Sequence, residues 1–402
     1  MKGGGLVMAA GVACLILAMG IRQSFGIFLT PIAMDLDVGR QAFGFAIAVQ
    51  NLLWGLAQPV VGAVADRYGA MRVTIASTFL YAAGLVLATF AAGTVGLTLS
   101  LGAVIGLALT GTTYATVLAA VGRVVPEEKR GMAFGLCTAA GSFGMFAVVP
   151  GAQALLDAYG WRTAFLLMAL AVGLLVPLSF GFAASDRMLA RKAGGPSLGA
   201  AVREAGGHRG YWLLIAGFFV CGFHVTFIAT HLPSYLSDRG LPLEVTAWAL
   251  AMIGLFNIAG SYLAGLLGGR FRLKRLLAAI YLARAAVITL FVALPLTPAT
   301  AIAFGAAIGF LWLSTVPLTS GLVVRMFGMR YMATLYGVVF ASHQVGAFLG
   351  AWGGGLAYDL LGGYEAIWYA SIALALFAAL IHLPIDDRPV VRMRPVTAPV
   401  SP

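Results

Sequence analysis

Charged side chains are scarce in this 402-residue chain, since Asp, Glu, Lys and Arg together make up 10% of it. Soluble proteins carry about 25% charged residues, so this composition could not cover the surfaces of soluble domains. Apolar side chains reach 61%, and the mean hydropathy is +0.96. We therefore predict a polytopic membrane protein, in which the 52 glycines allow close helix packing in lipid.

Motifs typical of enzymes and metal sites are also missing. The three cysteines, Cys14, Cys137 and Cys221, lie in apolar stretches, which favours buried side chains over a disulfide or a metal site. No glycine is followed by lysine, which excludes a Walker A loop, and no His-Glu-x-x-His motif occurs. We expect no enzymatic activity, no cofactor and no metal.

Apolar runs long enough to cross a membrane recur along the whole chain, each with about 20 mostly apolar residues. There are twelve, at 6–33, 41–65, 72–92, 98–122, 131–155, 162–183, 211–236, 244–268, 276–296, 299–323, 332–357 and 364–384. The longest polar interval separates six spans from six. We predict an all-α membrane protein of twelve transmembrane helices with an N-terminal six-helix bundle (1–183), a cytoplasmic linker (184–210), a C-terminal six-helix bundle (211–385) and a cytoplasmic tail (386–402).

The distribution of basic residues indicates the orientation in the membrane, because Lys and Arg are enriched in cytoplasmic loops. With a cytoplasmic N-terminus, 20 basic residues fall in inside segments and only Arg40, Arg162 and Arg239 in outside loops. Both termini are therefore expected on the cytoplasmic side of the inner membrane. This bias and contact with anionic lipid account for the net charge of +11, so no nucleic-acid partner is expected.

The two halves of the chain repeat at an offset of 202 or 203 residues. Glycine, arginine, aspartate and proline positions recur, including the pairs Gly20–Gly222, Pro31–Pro233, Gly62–Gly265, Arg67–Arg270, Arg72–Arg275 and Asp157–Asp359. Duplicated six-helix halves are typical of alternating-access transporters, whose substrate site lies near the midplane between the halves. Because no ATP-binding motif is present, an ion or solute gradient would have to drive transport.

The loop after the second span reads Gly62-Ala-Val-Ala-Asp66-Arg67-Tyr-Gly69-Ala-Met-Arg72. It resembles the G-x-x-x-D-R-x-G signature of the major facilitator superfamily. The resemblance implies that Asp66 and Arg67 belong to a cytoplasmic charge network that latches the outward-facing state. The predicted gating set is Gly62, Asp66, Arg67, Gly69, Arg72, Arg270 and Arg275. Gly269 replaces the aspartate in the second copy, so that half of the latch should be weaker.

The chain further resembles the bacterial monocarboxylate-transporter-like and oxalate/formate-antiporter-like branch of that superfamily. The resemblance rests on the run 22–26 with Pro31, on the segment 160–165 and on the glycine-dense eleventh span. It implies a small carboxylate substrate. The eighth span departs from the pattern, because Asn257 and Ser261 stand where monocarboxylate transporters usually carry an Asp and an Arg. Arg22 would then have to bind the carboxylate.

Two cations lie inside the predicted spans, while all fourteen carboxylates map to loops or helix ends. An arginine at a helix centre costs about 2.5–3.5 kcal/mol to insert, which makes Arg22 and Arg284 functional candidates. Arg284 lies within about 12 Å of the cytoplasmic end of its span and could snorkel. Arg22 is therefore the preferred binding residue for an anion, with structural pairing to carbonyls or a distant acid as the alternative.

Histidines in the spans could replace the missing carboxylates as proton carriers, because imidazole titrates near neutral pH. His224, which aligns with Arg22 at +202, and His343 are the proton-coupling candidates, and His231 is placed nearer the outer rim. The alternative for each is a neutral, hydrogen-bonded histidine. The predicted substrate-binding residues are Arg22, Gln23, Asn51, Tyr114, His224, His231, Asn257, Trp312, His343 and Gln344.

Three functions remain open from the sequence. The first is a secondary active transporter of a small organic anion, above all a carboxylate, with coupling to H⁺ as an option. The second is a proton-driven exporter of drugs or metabolites, and the third is a non-transporting receptor or lipid-handling protein on the same scaffold. The expected partners are the anionic substrate, H⁺ and the lipid bilayer, and a monomer is the expected state.

Overall fold

The computed structural model describes residues 2–38, 40–191 and 197–390. Lys192 in the predicted linker and Arg392 and Arg394 in the predicted tail lie outside the described residues. Every regular element in the described ranges is a helix, and none of these residues forms a strand. The predicted all-α class is confirmed.

The described residues of the first half form ten α-helices. They are α1 (Lys2–Ser24), α2 (Leu29–Asp35), α3 (Arg40–Tyr68), α4 (Ala70–Thr89), α5 (Gly93–Leu97), α6 (Ile105–Thr112), α7 (Tyr114–Val124), α8 (Glu127–Gly173), α9 (Leu175–Ser179) and α10 (Ala183–Arg191). A 3₁₀ turn at Phe25–Phe28 joins α1 to α2, and a π-helical stretch at Thr98–Val104 joins α5 to α6.

In the described part of the predicted linker, α10 is followed by one further short helix, and the described residues of the second half form seven longer ones. They are α11 (Leu198–Gly206), α12 (Arg209–Asp238), α13 (Leu243–Gly268), α14 (Leu273–Ala293), α15 (Pro298–Leu311), α16 (Thr315–Phe327), α17 (Met332–Leu361) and α18 (Glu365–His382). Thr297 caps α15 and shares a reciprocal hydrogen-bonded box with Thr300, which explains the sharp start of that helix.

Eleven segments of the described chain are long and apolar enough to cross a membrane. One of them, Glu127–Leu189, has 63 residues, whereas about 20 are sufficient for a single crossing. The backbone inside this segment leaves the helical region at Gly160, with φ 73° and ψ 168°. Glycine adopts such a conformation without the steric cost of a Cβ atom. Gly160 therefore breaks α8 at the boundary between the predicted fifth and sixth spans.

The two halves pack against each other along two seams, α3 with α17 and α8 with α13. We call the end of the bundle at the Gly69 loop the signature end and the opposite end the far end. Contacts across the seams run from the signature end to the level of Gly55–Gln344 on one side and Ser142–Asn257 on the other. The halves are therefore joined at the signature end and up to the middle of the bundle.

The facing helices lie open beyond this level. About one turn further toward the far end, Phe146 on α8 and Phe348 on α17 are 62% and 40% exposed. Trp352, a further turn along α17, is 56% exposed. These three rings are therefore exposed on the far-end side of the contacts between the halves.

One span in each half is interrupted at its middle. In the first half, Thr113 separates α6 from α7 with an extended backbone at φ −122° and ψ −159°. In the second half, residues 312–314 separate α15 from α16. The two interruptions lie at adjacent positions in the internal repeat, because Thr113 aligns at +202 with Thr315, the residue that directly follows the second break. Broken helices at corresponding positions of two repeats are typical of transporter binding sites, since they leave backbone polar groups free at the midplane.

Candidate functional site

The signature aspartate bridges the two halves at the signature end. Asp66 is 4% exposed and accepts hydrogen bonds from the backbone N–H groups of Ala333 and Thr334, at 3.3 and 2.8 Å, and from the Thr334 hydroxyl at 2.8 Å. These groups belong to the first turn of α17, where unpaired N–H groups and the helix dipole favour an anion. Arg123 on α7 pairs with the same carboxylate at 2.6 Å. The carboxylate therefore lies where a latch between the halves requires it.

The other signature residues have separate roles in the geometry. Arg67 lies over the ring of Tyr68 at 5.2 Å and forms no ion pair within the described ranges. Arg123, which is not in the predicted gating set, is the arginine that pairs with Asp66. Gly69 has φ 95°, and a Cβ atom there would lie 2.4 Å from the carboxylate of Asp186. Asp186 caps α4, accepting from the backbone N–H groups of residues 70 and 71 at 2.8 and 3.1 Å.

The second copy of the signature joins the halves without a carboxylate. A Cβ atom on Gly131 would lie 2.6 Å from the carbonyl oxygen of Gly265, and one on Gly265 would lie 2.4 Å from the carbonyl oxygen of Gly131. A Cβ atom on Gly135 would likewise lie 2.9 Å from the Cα atom of Gly265. The α8–α13 seam at the signature end is therefore closed by backbone packing. Arg270 and Arg275 of this copy are exposed to the surroundings.

Arg22 is partly exposed in the last turn of α1. Its guanidinium donates to Oδ1 of Asn51 on α3 and, at 3.3 Å, to Oε1 of Gln23. The charged carbon lies 4.9 Å from the ring centre of Trp54, and Nε is buried without a hydrogen-bond partner. No ion pair among the described residues includes Arg22. The two hydrogen bonds engage two of the five guanidinium N–H groups, so this cation can still bind an anionic ligand.

A row of rings connects Arg22 to the second half of the chain. The Trp54 ring lies 4.9 Å from that of Phe340 on α17, which stacks on His343 at 5.5 Å with an interplanar angle of 6°. Nδ1 of His343 lies 3.3 Å from Oε1 of Gln344, whose Nε2 is buried without a partner. The structure therefore brings Arg22 and the His343–Gln344 pair to one seam near the middle of the bundle.

The interrupted span of the first half supports this row of rings. Nε1 of Trp54 donates to Oγ1 of Thr113 at 3.0 Å, so the break at Thr113 orients the indole. Tyr114, the first residue of α7, is buried, and its hydroxyl has no partner. A Cβ atom on Gly141 of α8 would lie 2.5 Å from that hydroxyl. Tyr114 thus fills the space that Gly141 leaves open on α8.

Asn257 connects the interrupted span of the second half to the first half. Its Oδ1 accepts from the backbone N–H of Leu313 at 3.0 Å and from the hydroxyl of Ser261 at 3.1 Å. Its Nδ2 donates to Oγ of Ser142 on α8 at 2.7 Å. The amide is fully buried, so in this conformation it joins the halves at the α8–α13 seam.

The expectation that Arg284 could snorkel toward the cytoplasm is wrong. The side chain is 1% exposed, and its Nη2 donates to the carbonyl oxygens of Leu311 and Trp312 at 2.7 and 2.5 Å. These carbonyls are left without helical partners where α15 ends, and they attract a cation. Sγ of Cys221 lies 3.6 Å from the same nitrogen. Arg284 and Trp312 therefore lie inside the second half, behind the break.

Two of the predicted histidines lie apart from Arg22. Nε2 of His224 is 2.9 Å from the carbonyl oxygen of Ser371 on α18, and the ring is 1% exposed. Nε2 of His231 is 2.7 Å from the carbonyl oxygen of Ala351 on α17. The positions of Arg22 and His224 are equivalent in the repeat, but the long arginine side chain reaches α3, whereas the shorter imidazole bonds to the neighbouring helix α18.

Sequence analysis missed Trp54, Phe340 and Ser142 at the seams. A signal for Trp54 is present, because Asn51, Trp54 and Gln58 follow the i, i+3, i+7 spacing of one helix face. Phe340 and Ser142 become functional candidates only because of the residues that face them from the other half. A single sequence carries no information on that pairing.

Proteins of similar sequence are transporters. Monocarboxylate transporter 13 of Bos taurus is 26% identical over 381 residues, covering 92% of this chain and 86% of the relative. Monocarboxylate transporter 11 of Homo sapiens is 25% identical over 94% of this chain and 82% of the relative. An uncharacterized MFS-type transporter of Bacillus subtilis, YcxA, is 24% identical over 90% of both chains.

Solved structures of similar fold have much lower sequence identity. The fucose:proton symporter FucP of E. coli superimposes with a TM-score of 0.68 at 18% identity, over 93% of this chain and 97% of that chain. The proton:xylose symporter XylE gives a TM-score of 0.73 at 13% identity, over 94% and 95%. These likenesses concern the fold alone.

A family model covers most of the chain. The model described as Major Facilitator Superfamily matches residues 11–351, which include the signature loop, both interrupted spans and Arg22. The predicted family is confirmed, and with it the expectation that the protein is a transporter and not an enzyme. The chain belongs to the Major Facilitator Superfamily of multi-pass membrane transporters.

Proposed function

We propose that this transporter moves a small organic anion, in the first instance a monocarboxylate, across the cytoplasmic membrane by alternating access. The observation that carries the proposal is Arg22, a partly exposed cation at the α3 seam with a free Nε and no carboxylate partner among the described residues. A charge inside the membrane requires a counter-ion. The names of the monocarboxylate transporter relatives support a carboxylate in this role.

The neighbours of Arg22 suit a small carboxylate. Asn51 and Gln23 orient the guanidinium, which can then offer two parallel N–H groups to a carboxylate. The rings of Trp54 and Phe340 provide an apolar wall for a short carbon chain, and the unpartnered Nε2 of Gln344 is available as a further donor. Asn257, whose amide is engaged at the other seam, is assigned the role of joining the halves.

The membrane arrangement follows from the break at Gly160. A single helix of 63 residues would measure about 95 Å, so we infer two crossings in Glu127–Leu189 and twelve in the chain. The signature end is then cytoplasmic, because the basic loops lie there. The described conformation is assigned as outward-facing, with Asp66 holding the cytoplasmic side closed.

His343 is the proposed proton carrier if transport is coupled to H⁺. It lies between the rings of Phe340 and Phe218, in the same row of rings that begins at Arg22. A change in its charge would therefore be felt at the anion site. His224, which contacts α18, is the weaker candidate, and a double substitution His224→Gln, His343→Gln should remove the pH dependence of uptake.

Binding and uptake by Arg22 variants test the anion site. Thermal stabilisation of the purified protein would be measured with monocarboxylates, uncharged analogues and cationic amphiphiles, because a ligand of the folded state raises its apparent stability. We expect stabilisation by carboxylates that Arg22→Gln abolishes and Arg22→Lys restores in part. Arg162→Gln, two residues after the Gly160 break at the far end, is the control. Undiminished carboxylate uptake by correctly expressed Arg22→Gln would refute the proposal.

An exporter of amphipathic compounds is the second candidate. The exposed rings of Phe146, Phe348 and Trp352 on the open side favour it, since aromatic walls accommodate large apolar ligands. The same panel separates the two functions. Stabilisation by apolar amphiphiles only, unchanged in Arg22→Gln, would favour export.

A further inference from the structure

An apolar groove opens on the second half, away from the seams between the halves. It has a volume of about 240 Å³ and lies between α13, α14 and the interrupted span α15–α16. The α13 and α14 walls are built largely of small and aliphatic side chains, among them Gly260, Leu263, Ala264, Ala279 and Ala283. These residues belong to the part of each helix nearest the signature end.

Three arginines surround the end of this groove. Arg270 and Arg272 lie in the loop between α13 and α14, and Arg275 lies in the first turn of α14. All three side chains are exposed, and none forms an ion pair with a carboxylate of residues 2–38, 40–191 or 197–390. Arg272 and Arg275 stand four residues before the groove residues Leu276 and Ala279, a spacing that places each pair on the same helix face. An apolar slot and a cationic rim are therefore continuous.

The corresponding place in the first half holds a carboxylate of the protein itself. There, Asp186 accepts from the first two N–H groups of α4, at residues 70 and 71. Their equivalents at +203 are Leu273 and Lys274, the first residues of α14, and no side chain caps this helix. In the first half, the carboxylate of Asp186 thus caps the start of α4. In the second half, the corresponding start of α14 lies next to three unpaired arginines instead.

We propose that the groove and its arginine rim bind an anionic glycerophospholipid of the bilayer, with an acyl chain between α13 and α14 and the phosphate at Arg272 and Arg275. The apolar lining matches a hydrocarbon chain, and the rim matches a phosphate, since guanidinium groups bind phosphate through paired hydrogen bonds. The apolar groove alone, or the arginine rim alone, would not select a phospholipid. The two together do, because they adjoin each other within one leaflet of the bilayer.

Native mass spectrometry of the purified full-length protein tests the site, with phosphatidylglycerol and phosphatidylethanolamine of identical acyl chains. We expect a clear preference for phosphatidylglycerol. Each basic residue near a membrane contributes about fivefold to the binding of an anionic lipid, so Arg272→Gln with Arg275→Gln should reduce this preference by roughly 25-fold. Arg203→Gln with Arg209→Gln removes the same charge from the exposed start of α12 and its preceding helix and should change it little.

The acyl-chain part of the site is tested separately. Ala279→Phe fills the groove and should reduce phosphatidylglycerol binding several-fold, while Ala286→Phe, an exposed position on α14 outside the lining, should leave it unchanged. Equal losses in both arginine pairs would overturn the proposal in favour of general electrostatic attraction. Full binding by Ala279→Phe, or competition by glycerol phosphate as effective as by the intact lipid, would also overturn it.

Discussion

Neutralising Asp66 should open the signature end of the protein. In Asp66→Asn, three hydrogen bonds between the halves, to the N–H of Ala333 and to the N–H and hydroxyl of Thr334, lose their charged acceptor. Each hydrogen bond to a charged group contributes about 1.5 kcal/mol or more, and each neutral one about 0.5–1 kcal/mol. The closed arrangement should thus be weakened by about 2–3 kcal/mol, which changes the closed-to-open ratio by about 30- to 150-fold.

Distances between spin labels across the signature end would measure this shift. Labels at the exposed positions Lys129 and Arg272, one in each half, can be attached after replacement of the three buried cysteines. Asp66→Asn should add a population at longer distance. Asp186→Asn is the matched control, because this carboxylate bonds only within the first half and its loss should lower stability by about 1 kcal/mol without separating the labels.

The latch argument is refuted by either of two results. An unchanged distance distribution in folded Asp66→Asn would mean that its hydrogen bonds to α17 do not hold the halves together. An equal separation of the labels in Asp186→Asn would mean that any lost charge loosens this end of the bundle.

Three further substitutions test other parts of the structure. Arg284→Met should lower the thermal unfolding temperature by several degrees because the carbonyl groups at the end of α15 lose their hydrogen-bond donor. An unchanged unfolding temperature would show that these hydrogen bonds do not stabilise the fold. Gly265→Val should prevent closure at the α8–α13 seam because its side chain would meet the Gly131 carbonyl group, and spin-label distances would show a permanently open signature end. His343→Gln should remove most of the pH dependence of uptake, whereas His224→Gln should retain it, as measured in proteoliposomes between pH 5.5 and about 7.5.

The helical class and the apolar segments long enough to cross a membrane could be read from the sequence because both depend on local composition. Runs of about 20 apolar residues must form helices in lipid, where every backbone polar group needs a partner within its own segment. Gly160 lies between two predicted spans and adopts the positive φ that such a turn requires. The signature likewise identified Asp66, since its spacing is contiguous in the chain.

The site could be predicted only in part. Arg22 could be proposed from the sequence because a cation in an apolar span carries a clear insertion cost. Whether a polar side chain faces the seam or a neighbouring helix depends on rotation about the helix axis and on side-chain length. His224 and Arg284 illustrate this, since both lie in apolar spans, yet one contacts α18 and the other binds the end of α15.

The sequence by itself determined the membrane class and the family signature, because composition and contiguous spacing carry that information. Tertiary structure alone decided that Arg123 pairs with Asp66, that Trp54 and Phe340 connect Arg22 to His343, and that the halves meet at the signature end. These features depend on helices that are distant in sequence and become neighbours only when the halves pack together.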